Sequence, residues 1–421
     1  MSELGYQFLT RPQRQAALAI GLACIAVGLY IQIKLWQLDP TGISIAGERL
    51  PYWDFSNLWA GSRMALEGKA DLLFDVDAYR RELDAIYGVK LPDQEWSYPP
   101  SILLIGVPLA YLPIGAAFAL WSAGTLFLFH LALRSFRLPA IAHCLVLLGP
   151  AIWSNQMFGQ NGALTAALLL AGLLNAPTRP VLAGILIGLL TLKPHLGILL
   201  PFCLLASRNY TAIVSATVTA LTMVVLTGLL FGFEVWTLFF TETRALMTWI
   251  MEAPYPQAYH THVATVFVTM RSLGASVSGA YMVQLAVTGL AIVAVWILWR
   301  PGDGLDHLSR VCMTSVFVIV ATPYGYTHDT AALYLAIAWF FLRDPKPFLP
   351  VHALVWLFPL VSPRFHDIHL SAGVLAPLGF AIWLFHAYLT GSRGFPHFSR
   401  ANNPATACAA PLPRPGDPRP S

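Results

Sequence analysis

Apolar stretches alternate with short polar turns along most of the chain, and successive turns carry different residues. Every second turn is basic, and the turns between carry Gln160-Asn161, Lys193-Pro194-His195, His328-Asp329 and His366-Asp367. Membrane proteins keep Lys and Arg in their short cytoplasmic loops, so the other turns are predicted to share the outer face of the membrane. The basic sites are Arg11 and Arg14, Arg134 and Arg137, Arg179, Arg208, Arg300 and Arg310, Arg343 and Lys346, and Arg393 and Arg400.

The pattern predicts an all-α polytopic membrane protein with about twelve transmembrane helices and both termini in the cytoplasm. Several apolar stretches are shorter than the roughly 20 residues that a spanning helix needs. Short spans are tolerated where their ends line a water-filled cavity, which predicts a site sunk into the outer half of the bilayer. The predicted spans are 16–36, 113–134, 138–153, 162–176, 180–192, 195–207, 210–231, 280–299, 310–323, 329–342, 348–362 and 370–390.

Two segments between spans are long enough to hold structure of their own. The first outer loop, 37–112, contains eleven of the 21 acidic residues. Within it, 57–67 and 76–87 have the helical spacing of Leu, Trp, Met and Tyr that indicates amphipathic helices lying on the membrane. The apolar piece that ends at Pro113 is too short to span and is predicted to be re-entrant or interfacial. The second outer loop is 232–279.

Composition supports the membrane class. The chain is 57% hydrophobic and 11% charged, with a mean hydropathy of +0.62, whereas a soluble domain averages about 25% charged residues. The net charge of +4 is small and gives no reason to expect a nucleic-acid partner. Residues 1–390 are predicted to form one catalytic domain, and the Pro-rich 391–421 a disordered cytoplasmic tail.

Asp54 is the first candidate for chemistry. It stands in Tyr52-Trp53-Asp54-Phe55, just before a predicted helix. One interpretation is an N-cap for the helix that begins near Ser56. The other is a carboxylate at the membrane surface that acts as a general base. The pattern leaves both interpretations open.

Lys193 is a single charge among some thirty mostly apolar residues. An unpaired ammonium at that depth costs at least about 2.5–3.5 kcal/mol. One interpretation is that Lys193 extends its charge to the interface along its aliphatic stem. The other, which we favour, is an anionic partner, and a lipid phosphate is the natural candidate.

Other polar residues of the outer turns are candidates for binding. Asn161 either caps the helix that follows it or, with Gln160, presents free N–H groups to an anion or sugar. His260, His262 and His328 are expected to be structural or to hydrogen-bond phosphate or sugar, because their spacing is not a metal pattern. Arg271 is a further candidate phosphate ligand.

The order of several short motifs resembles a known family. The chain resembles the GT-C glycosyltransferases of family 87, the polyprenol-phosphate-mannose-dependent mannosyltransferases, over roughly residues 10–390. The motifs are Trp59-Ala60-Gly61, Leu73-Phe74-Asp75, Tyr98-Pro99-Pro100, Pro108 to Pro113, Gly159-Gln160-Asn161, Ala183-Gly184, Leu192-Lys193-Pro194-His195 and Pro323 to Asp329.

The resemblance implies a GT-C fold in the plasma (inner) membrane, with an active site that faces the periplasm. It implies that Asp54 is the base and that the co-substrate is a polyprenyl-phosphate sugar, with mannose as the sugar that the family uses, and with no metal and no other cofactor. The acceptor is expected to be a glycolipid or glycan. The implied phosphate ligands are Lys193, His328, His260, His262 and Arg271, and the implied substrate contacts are Gln160, Asn161, Tyr98, His195 and Asp329.

Simple chemistry supports the same reaction. One base without a second carboxylate nucleophile predicts inversion at the sugar carbon, although Asp75 or Asp77 is in principle a second carboxylate. A lipid or sugar transporter or flippase is the main alternative, and it would show an internal repeat, which the sequence lacks. A membrane acyltransferase or phosphotransferase stays open because of the His-Asp pairs at 328–329 and 366–367.

Overall fold

The computed structural model describes residues 10–91, 94–302, 304–343 and 349–391. Lys346, Arg393, Arg400 and nearly all of the predicted tail lie outside these residues. The described residues are helical, with two isolated β-bridges and no strand. Their α-helices are α1 Arg11–Leu35, α2 Trp53–Leu66, α3 Val76–Tyr87, α4 Leu103–Ala110, α5 Ile114–Arg134, α6 Ala140–Leu147, α7 Pro150–Phe158, α8 Gly162–Asn175, α9 Pro180–Leu189, α10 Leu200–Ala206, α11 Tyr210–Phe231, α12 Glu234–Leu238, α13 Arg244–Glu252, α14 Val266–Ser272, α15 Val277–Trp299, α16 His307–Ala321, α17 Ala331–Arg343, α18 Leu349–Phe365 and α19 Leu375–Leu389.

Four helices in the described part of the chain, α1, α5, α11 and α15, are long and apolar enough to cross a membrane. They expose large apolar side chains such as Leu22, Phe127, Leu221 and Leu285, as expected of surfaces that face lipid. The other apolar helices are shorter. The all-helical membrane class is therefore supported, while the predicted number of twelve spans is not confirmed.

The short helices α8, α16 and α17 form the interior. Nearly every residue of α16 and α17 is buried. At one end of these helices Arg343 donates a hydrogen bond of 2.7 Å to the carboxylate of Asp306, and Trp339 donates one of 2.9 Å to Ser309. Both charges of the pair are buried together, which limits the cost of removing them from water.

The predicted span 138–153 is wrong, because the chain forms two helices there. α6 ends at Leu147 and α7 begins at Pro150. Proline lacks an N–H and clashes inside a helix, but it fits the first position of a new one. Gly149 precedes it where Tyr334 packs closely, since a Cβ on Gly149 would lie 2.8 Å from that ring.

The two helices predicted in the first outer loop differ. α3 has the predicted bounds and is amphipathic, with Tyr79 and Leu83 buried and Asp75 capping it through the N–H of Ala78 at 2.9 Å. α2 begins at Trp53 and is buried along most of its length, so the prediction of a surface helix at 57–67 is wrong. Its polar residues are satisfied internally, as Ser56 shows by donating to the carbonyl of Trp53 at 2.6 Å.

Close packing of small residues holds α2 beneath α4. A Cβ on Gly106 of α4 would lie 2.1 Å from the hydroxyl of Ser62, and a Cβ on Gly61 would lie 2.3 Å from the ring of Trp96. These contacts leave room for glycine only, so the first outer loop is fixed against the helices of the core. Asp54 is held by this packing near the start of α2.

Candidate active site

Four chain segments bring the polar outer turns together. The start of α2 contributes Asp54, the α7–α8 turn contributes Gln160 and Asn161, the turn before α10 contributes Lys193, and the α16–α17 turn contributes Asp329. Gln160 contacts Asp54, and Lys193 contacts both Asn161 and Asp329. Residues more than 100 positions apart in sequence therefore share one site.

Asp54 is the second residue of α2 and does not cap it. Tyr52 occupies the N-cap position and makes no side-chain cap bond, so the N-cap interpretation of Asp54 is wrong. The side chain instead accepts a 2.8 Å hydrogen bond from the amide of Gln160. Asp54 is half-buried, and Tyr98 donates to its backbone carbonyl at 3.4 Å.

The environment of Asp54 favours the protonated carboxyl. Burial raises its pKa to about 6, even though the Gln160 hydrogen bond and the charges of Lys193 and Arg49 act in the opposite direction. A general base works best when its pKa lies near the working pH. Asp54 meets that requirement, which an ordinary exposed aspartate does not.

Lys193 is paired within the protein. Its ammonium donates to the carboxylate of Asp329 and, at 3.1 Å, to the side-chain oxygen of Asn161. The Lys193 side chain is 11% exposed and that of Asp329 is fully buried. The interpretation that Lys193 reaches the interface is therefore wrong. Its anionic partner here is a carboxylate of the same chain, and the predicted phosphate contact stays a prediction.

Asp329 is held in its charged form. Burial alone would raise its pKa, but Lys193 beside it and the neighbouring His328 and His195 lower the pKa to about 2. The backbone N–H of Tyr326 donates to its other oxygen at 3.1 Å. Asp329 thus has partners on both oxygens, whereas Asp54 has one neutral amide.

The α7–α8 turn is pressed against the α16–α17 turn. A Cβ on Gly162 would lie 1.9 Å from the carbonyl oxygen of His328, so only glycine permits this approach. Asn161 occupies the N-cap position of α8 without a side-chain cap bond, which makes the prediction of an Asn161 cap wrong. Asn155, which the sequence pattern did not single out, accepts from the N–H of Ala163 at 3.3 Å instead.

Aromatic rings pack around three histidines of the site. His328 stacks on Tyr326 with ring centroids 5.3 Å apart, and His195 meets Tyr324 edge-on at 5.3 Å. His262 meets Phe158 edge-on at 5.2 Å. Burial lowers the pKa of His328 to about 3 and that of His262 to about 4. Near neutral pH these two rings are uncharged and are suited to hydrogen bonding rather than to ion pairing.

Several buried polar atoms at the site have no hydrogen-bond partner among the described residues. They are Gln160 Oε1, His195 Nε2, His262 Nδ1 and His328 Nδ1. More than about 90% of buried polar groups in proteins are paired, and leaving one unpaired costs about 1–3 kcal/mol. Four such atoms on neighbouring turns leave the site with unused hydrogen-bonding capacity, which a polar ligand would satisfy.

Two predicted ligands have their hydrogen bonds within the second outer loop. His260 accepts from the N–H of Gln257 at 2.9 Å and stacks on Tyr255 at 5.0 Å. Arg271 closes the end of α14 by donating to the carbonyl of Ala275 at 2.8 Å. Their predicted role in phosphate binding is untested, but neither is joined to Lys193 or Asp54 by any bond in the part of the chain described.

Arg49 was missed by the sequence reasoning. Its guanidinium lies over the ring of Trp53, 5.1 Å from the centroid, and its charge lowers the pKa of both Asp54 and His262. Within the described ranges it has no carboxylate partner. The signal was present in the sequence, since a basic residue in the loop predicted to lie outside has no role in the positive-inside pattern.

No group of three or more His, Cys, Asp or Glu side chains is arranged to hold a metal in the residues that the structure describes. The histidines of the site are instead distributed around its wall, on turns 194–197, 258–262 and 327–330. Such an arrangement suits a ligand with many hydrogen-bonding groups.

Comparisons with known proteins identify a family and one curated relative. The model of glycosyltransferase family 87 matches residues 96–323, which are 228 of the 421 residues. A polyprenol-phosphate-mannose-dependent alpha-(1-2)-phosphatidylinositol pentamannoside mannosyltransferase of Mycolicibacterium smegmatis is 24% identical over 302 residues, which cover 67% of this chain and 68% of the relative. No solved structure matches. Gln160, Asn161 and Lys193 lie inside the matched range, whereas Asp54 and Asp329 lie outside it.

Proposed function

Because the chain belongs to glycosyltransferase family 87, we propose that it transfers mannose from a polyprenyl-phosphate donor to a lipid or glycan acceptor at the outer face of the membrane. The observation that carries the proposal is the half-buried Asp54 with its raised pKa beside a wall of unpaired polar atoms. The name of the mycobacterial relative supports the donor. Family membership favours a sugar transferase over a transporter, an acyltransferase or a phosphotransferase.

The reaction needs one proton acceptor. The acceptor hydroxyl oxygen attacks C1 of the sugar while the bond from C1 to the phosphate oxygen breaks. The hydroxyl proton passes to the carboxylate of Asp54, and polyprenyl phosphate leaves with the bonding electrons as a dianion. Gln160 orients the carboxylate through its 2.8 Å hydrogen bond, which leaves the second carboxylate oxygen for the acceptor.

Two cations, Arg49 and Lys193, lie close enough to Asp54 to affect its pKa. We propose that they bind the phosphate that leaves. Arg49 and Lys193 both lower the pKa of Asp54. Their positive charges would therefore also stabilise negative charge that develops on a phosphate bound beside Asp54. Arg49 has the larger share, because Asp329 already neutralises Lys193. Such cations attract the phosphate of the bound donor and stabilise it further as it gains charge in the transition state.

The unpaired atoms of Gln160, His195, His262 and His328 are assigned to the hydroxyl groups of the transferred sugar. A neutral imidazole has one donor and one acceptor nitrogen, so each ring matches a hydroxyl in either sense. A site that hydrogen-bonds specific hydroxyls discriminates strongly against sugars that lack them. The same atoms therefore supply both binding and selectivity.

The site favours inversion. Retention through a covalent intermediate needs a second carboxylate free to attack the sugar. Asp329 is bonded to Lys193 and to the N–H of Tyr326, Asp75 caps α3, and Asp77 is exposed on α3. Asp54 thus acts alone, and a β-linked donor would yield an α-linked product.

The proposed orientation places the basic turns in the cytoplasm and the site outside, as the alternation of basic turns favours. Cysteine introduced at exposed Asp77 should react with an impermeant thiol reagent in intact cells, whereas cysteine at exposed Thr178 should react only after permeabilisation. Reaction of Thr178→Cys in intact cells would contradict the orientation, since Thr178 lies beside the basic turn at Arg179.

The test of the transfer uses purified protein in liposomes with polyprenyl phosphate carrying radiolabelled mannose and, in parallel, glucose or galactose. We expect mannose label to leave the lipid when membrane extract supplies the acceptor. The label should stay on the lipid with Asp54→Asn, and Asp77→Asn is the matched control on the same loop. Release of label by Asp54→Asn at the wild-type rate would remove Asp54 as the base.

A further inference from the structure

A cavity lies between the two loops 37–112 and 232–279. We call it the acidic cleft; its volume is about 520 Å³, within the roughly 300–1,000 Å³ of typical ligand sites. One wall is the turn Asp71–Phe74 with the start of α3, and the other is the π-helical turn Phe239–Thr243 with the start of α13. Trp96 lines it from the side of α2.

Two hydrogen-bonding side chains of the cleft wall have no partner in the described residues. The indole N–H of Trp96 and the hydroxyl of Thr243 are both buried and unpaired, and these residues are only 1% and 3% exposed. An indole N–H in the interior usually finds a partner. Two unpaired polar groups on residues that line one cavity favour a ligand that supplies hydrogen-bond acceptors.

The carboxylates that line the acidic cleft limit the kinds of ligand that it can bind. Asp71, Asp75 and Glu242 line it with carboxylates, which accept hydrogen bonds and repel phosphate. The carboxylates are not grouped as metal ligands in the described residues. A ligand that donates to carboxylates and accepts from Trp96 and Thr243, while carrying no negative charge, has the properties of a neutral polyhydroxylated group.

Trp96 connects the acidic cleft with the candidate active site. Its ring meets Tyr98 edge-on with centroids 5.3 Å apart, and Tyr98 donates to the backbone carbonyl of Asp54 at 3.4 Å. Two aromatic side chains, Trp96 and Tyr98, therefore separate a ligand in the cleft from the backbone of Asp54. Binding energy from such a remote part of a substrate is able to position the reacting group.

We propose that the acidic cleft binds a neutral glycan portion of the acceptor, at a distance from the hydroxyl that reacts. The proposal rests on the proposed transferase function for its biological sense, but the binding itself does not require turnover. It predicts that the acceptor is recognised through uncharged sugar units, and that an anionic headgroup alone is a poor acceptor.

The binding test uses α-1,2-linked mannotetraose as a probe, with the full-length protein in nanodiscs and saturation-transfer NMR as the readout. Thr243→Val removes the hydroxyl and keeps the side-chain volume, and Glu242→Gln removes the charge. We expect each to raise the Kd of the probe about three- to tenfold, the usual range for one lost hydrogen bond. Asp77→Asn, exposed on α3 and outside the cleft, should leave the Kd unchanged.

The possible outcomes test glycan binding by the cleft independently of the proposed transferase activity. Asp54→Asn should abolish transfer and still bind mannotetraose, so loss of the transferase proposal would leave the cleft proposal standing. In turnover assays, Thr243→Val should raise the acceptor KM and leave the donor KM unchanged. Absent probe binding, or binding that Thr243→Val and Glu242→Gln both leave intact, would overturn the proposal. Equal binding of spermidine, lost in the same variants, would overturn the assignment to a neutral glycan.

Discussion

Asp54 at the start of α2 and Asp329 in the α16–α17 turn are two carboxylates of one site with opposite environments. Burial raises the pKa of Asp54 to about 6, whereas Lys193 and its neighbours lower that of Asp329 to about 2 despite complete burial. The difference lies in the partners, a neutral amide for one and an ammonium for the other. Two carboxylates whose pKa values are pushed apart take different roles, so we expect Asp54 to accept a proton and Asp329 to hold Lys193 in place.

The largest effect is expected for the base. Asp54→Asn keeps the size and the contact with Gln160 but cannot take up a proton, so turnover should fall by about 10²–10⁴-fold. Donor binding should survive, because the phosphate ligands are other residues. The measurement is single-turnover transfer together with donor affinity for protein shown to be folded. Near-normal turnover would transfer the role of base to Asp329.

Removing the ammonium should affect stability more than it affects proton transfer. Lys193→Met leaves Asp329 buried without its cation, and breaking such a pair costs about 3–5 kcal/mol. Thermal unfolding in detergent should detect the loss, and Asp329→Asn in the same background should restore part of it.

The matched control for Lys193→Met is Arg343→Met, which breaks the buried pair with Asp306 away from the site. It should lose comparable stability and keep its turnover per folded molecule. Unchanged stability of Lys193→Met would show that the Lys193–Asp329 pair does not hold the turn.

The pH profile distinguishes the two carboxylates directly. A base must be deprotonated, so with Asp54 as base turnover should fall about tenfold per unit below pH 6 and be level above it, following its pKa of about 6. The pKa of Asp329, about 2, would give a level profile over the same range. A profile that is level from pH 4.5 to 7.5 would exclude Asp54.

Gln160 tunes Asp54 and should shift that profile modestly. Its amide donates to the carboxylate and lowers the Asp54 pKa, so Gln160→Leu should move the acid limb upward by about one pH unit, the equivalent of one hydrogen bond to a charged group. The kcat should recover at high pH, while the donor KM should stay raised, because the side-chain oxygen of Gln160 is also assigned to the sugar. A loss of turnover that is equal at every pH would mean that Gln160 contacts substrate without acting on Asp54.

The smallest effect is expected at Arg49. It is exposed, and ion pairs at such positions contribute about 0.2–1 kcal/mol. Arg49→Gln should therefore raise the donor KM about two- to fivefold. The donor KM of Arg49→Lys should lie between those of the wild type and Arg49→Gln. Added salt should reduce the difference between the three proteins. A kcat effect without a KM effect would place Arg49 on the leaving phosphate in the transition state only.

Sequence patterns predicted the bounds of helices that depend mainly on residue spacing and on the length of an apolar stretch. The bounds of α3 follow from its amphipathic spacing and those of α5 and α11 from apolar length, and all three agree with the structure. The start of α2 was missed because its polar residues are satisfied by long-range packing, as Asn57 shows by donating to the carbonyl of Glu95.

The sequence indicated which residues form the candidate site, but it did not indicate which of them contact each other. Unusual polar residues in apolar turns pointed to Asp54, Gln160, Lys193 and Asp329. The Lys193–Asp329 pair joins residues 136 positions apart, and no local pattern encodes such a contact. Arg49 was overlooked because it lies in a segment without periodicity.

The shortness of the helices around the site has a consequence for the lipid itself. α8 begins at the site and has 14 residues, which at 1.5 Å per residue span about 21 Å, against about 30 Å for the hydrocarbon layer. Because α8 is enclosed by other helices, its short length leaves a recess lined by protein at the end where the site lies, and such a recess can hold water below the membrane surface. A long-chain isoprenoid phosphate would then reach the base by lateral diffusion within its own leaflet, without being lifted from the hydrocarbon.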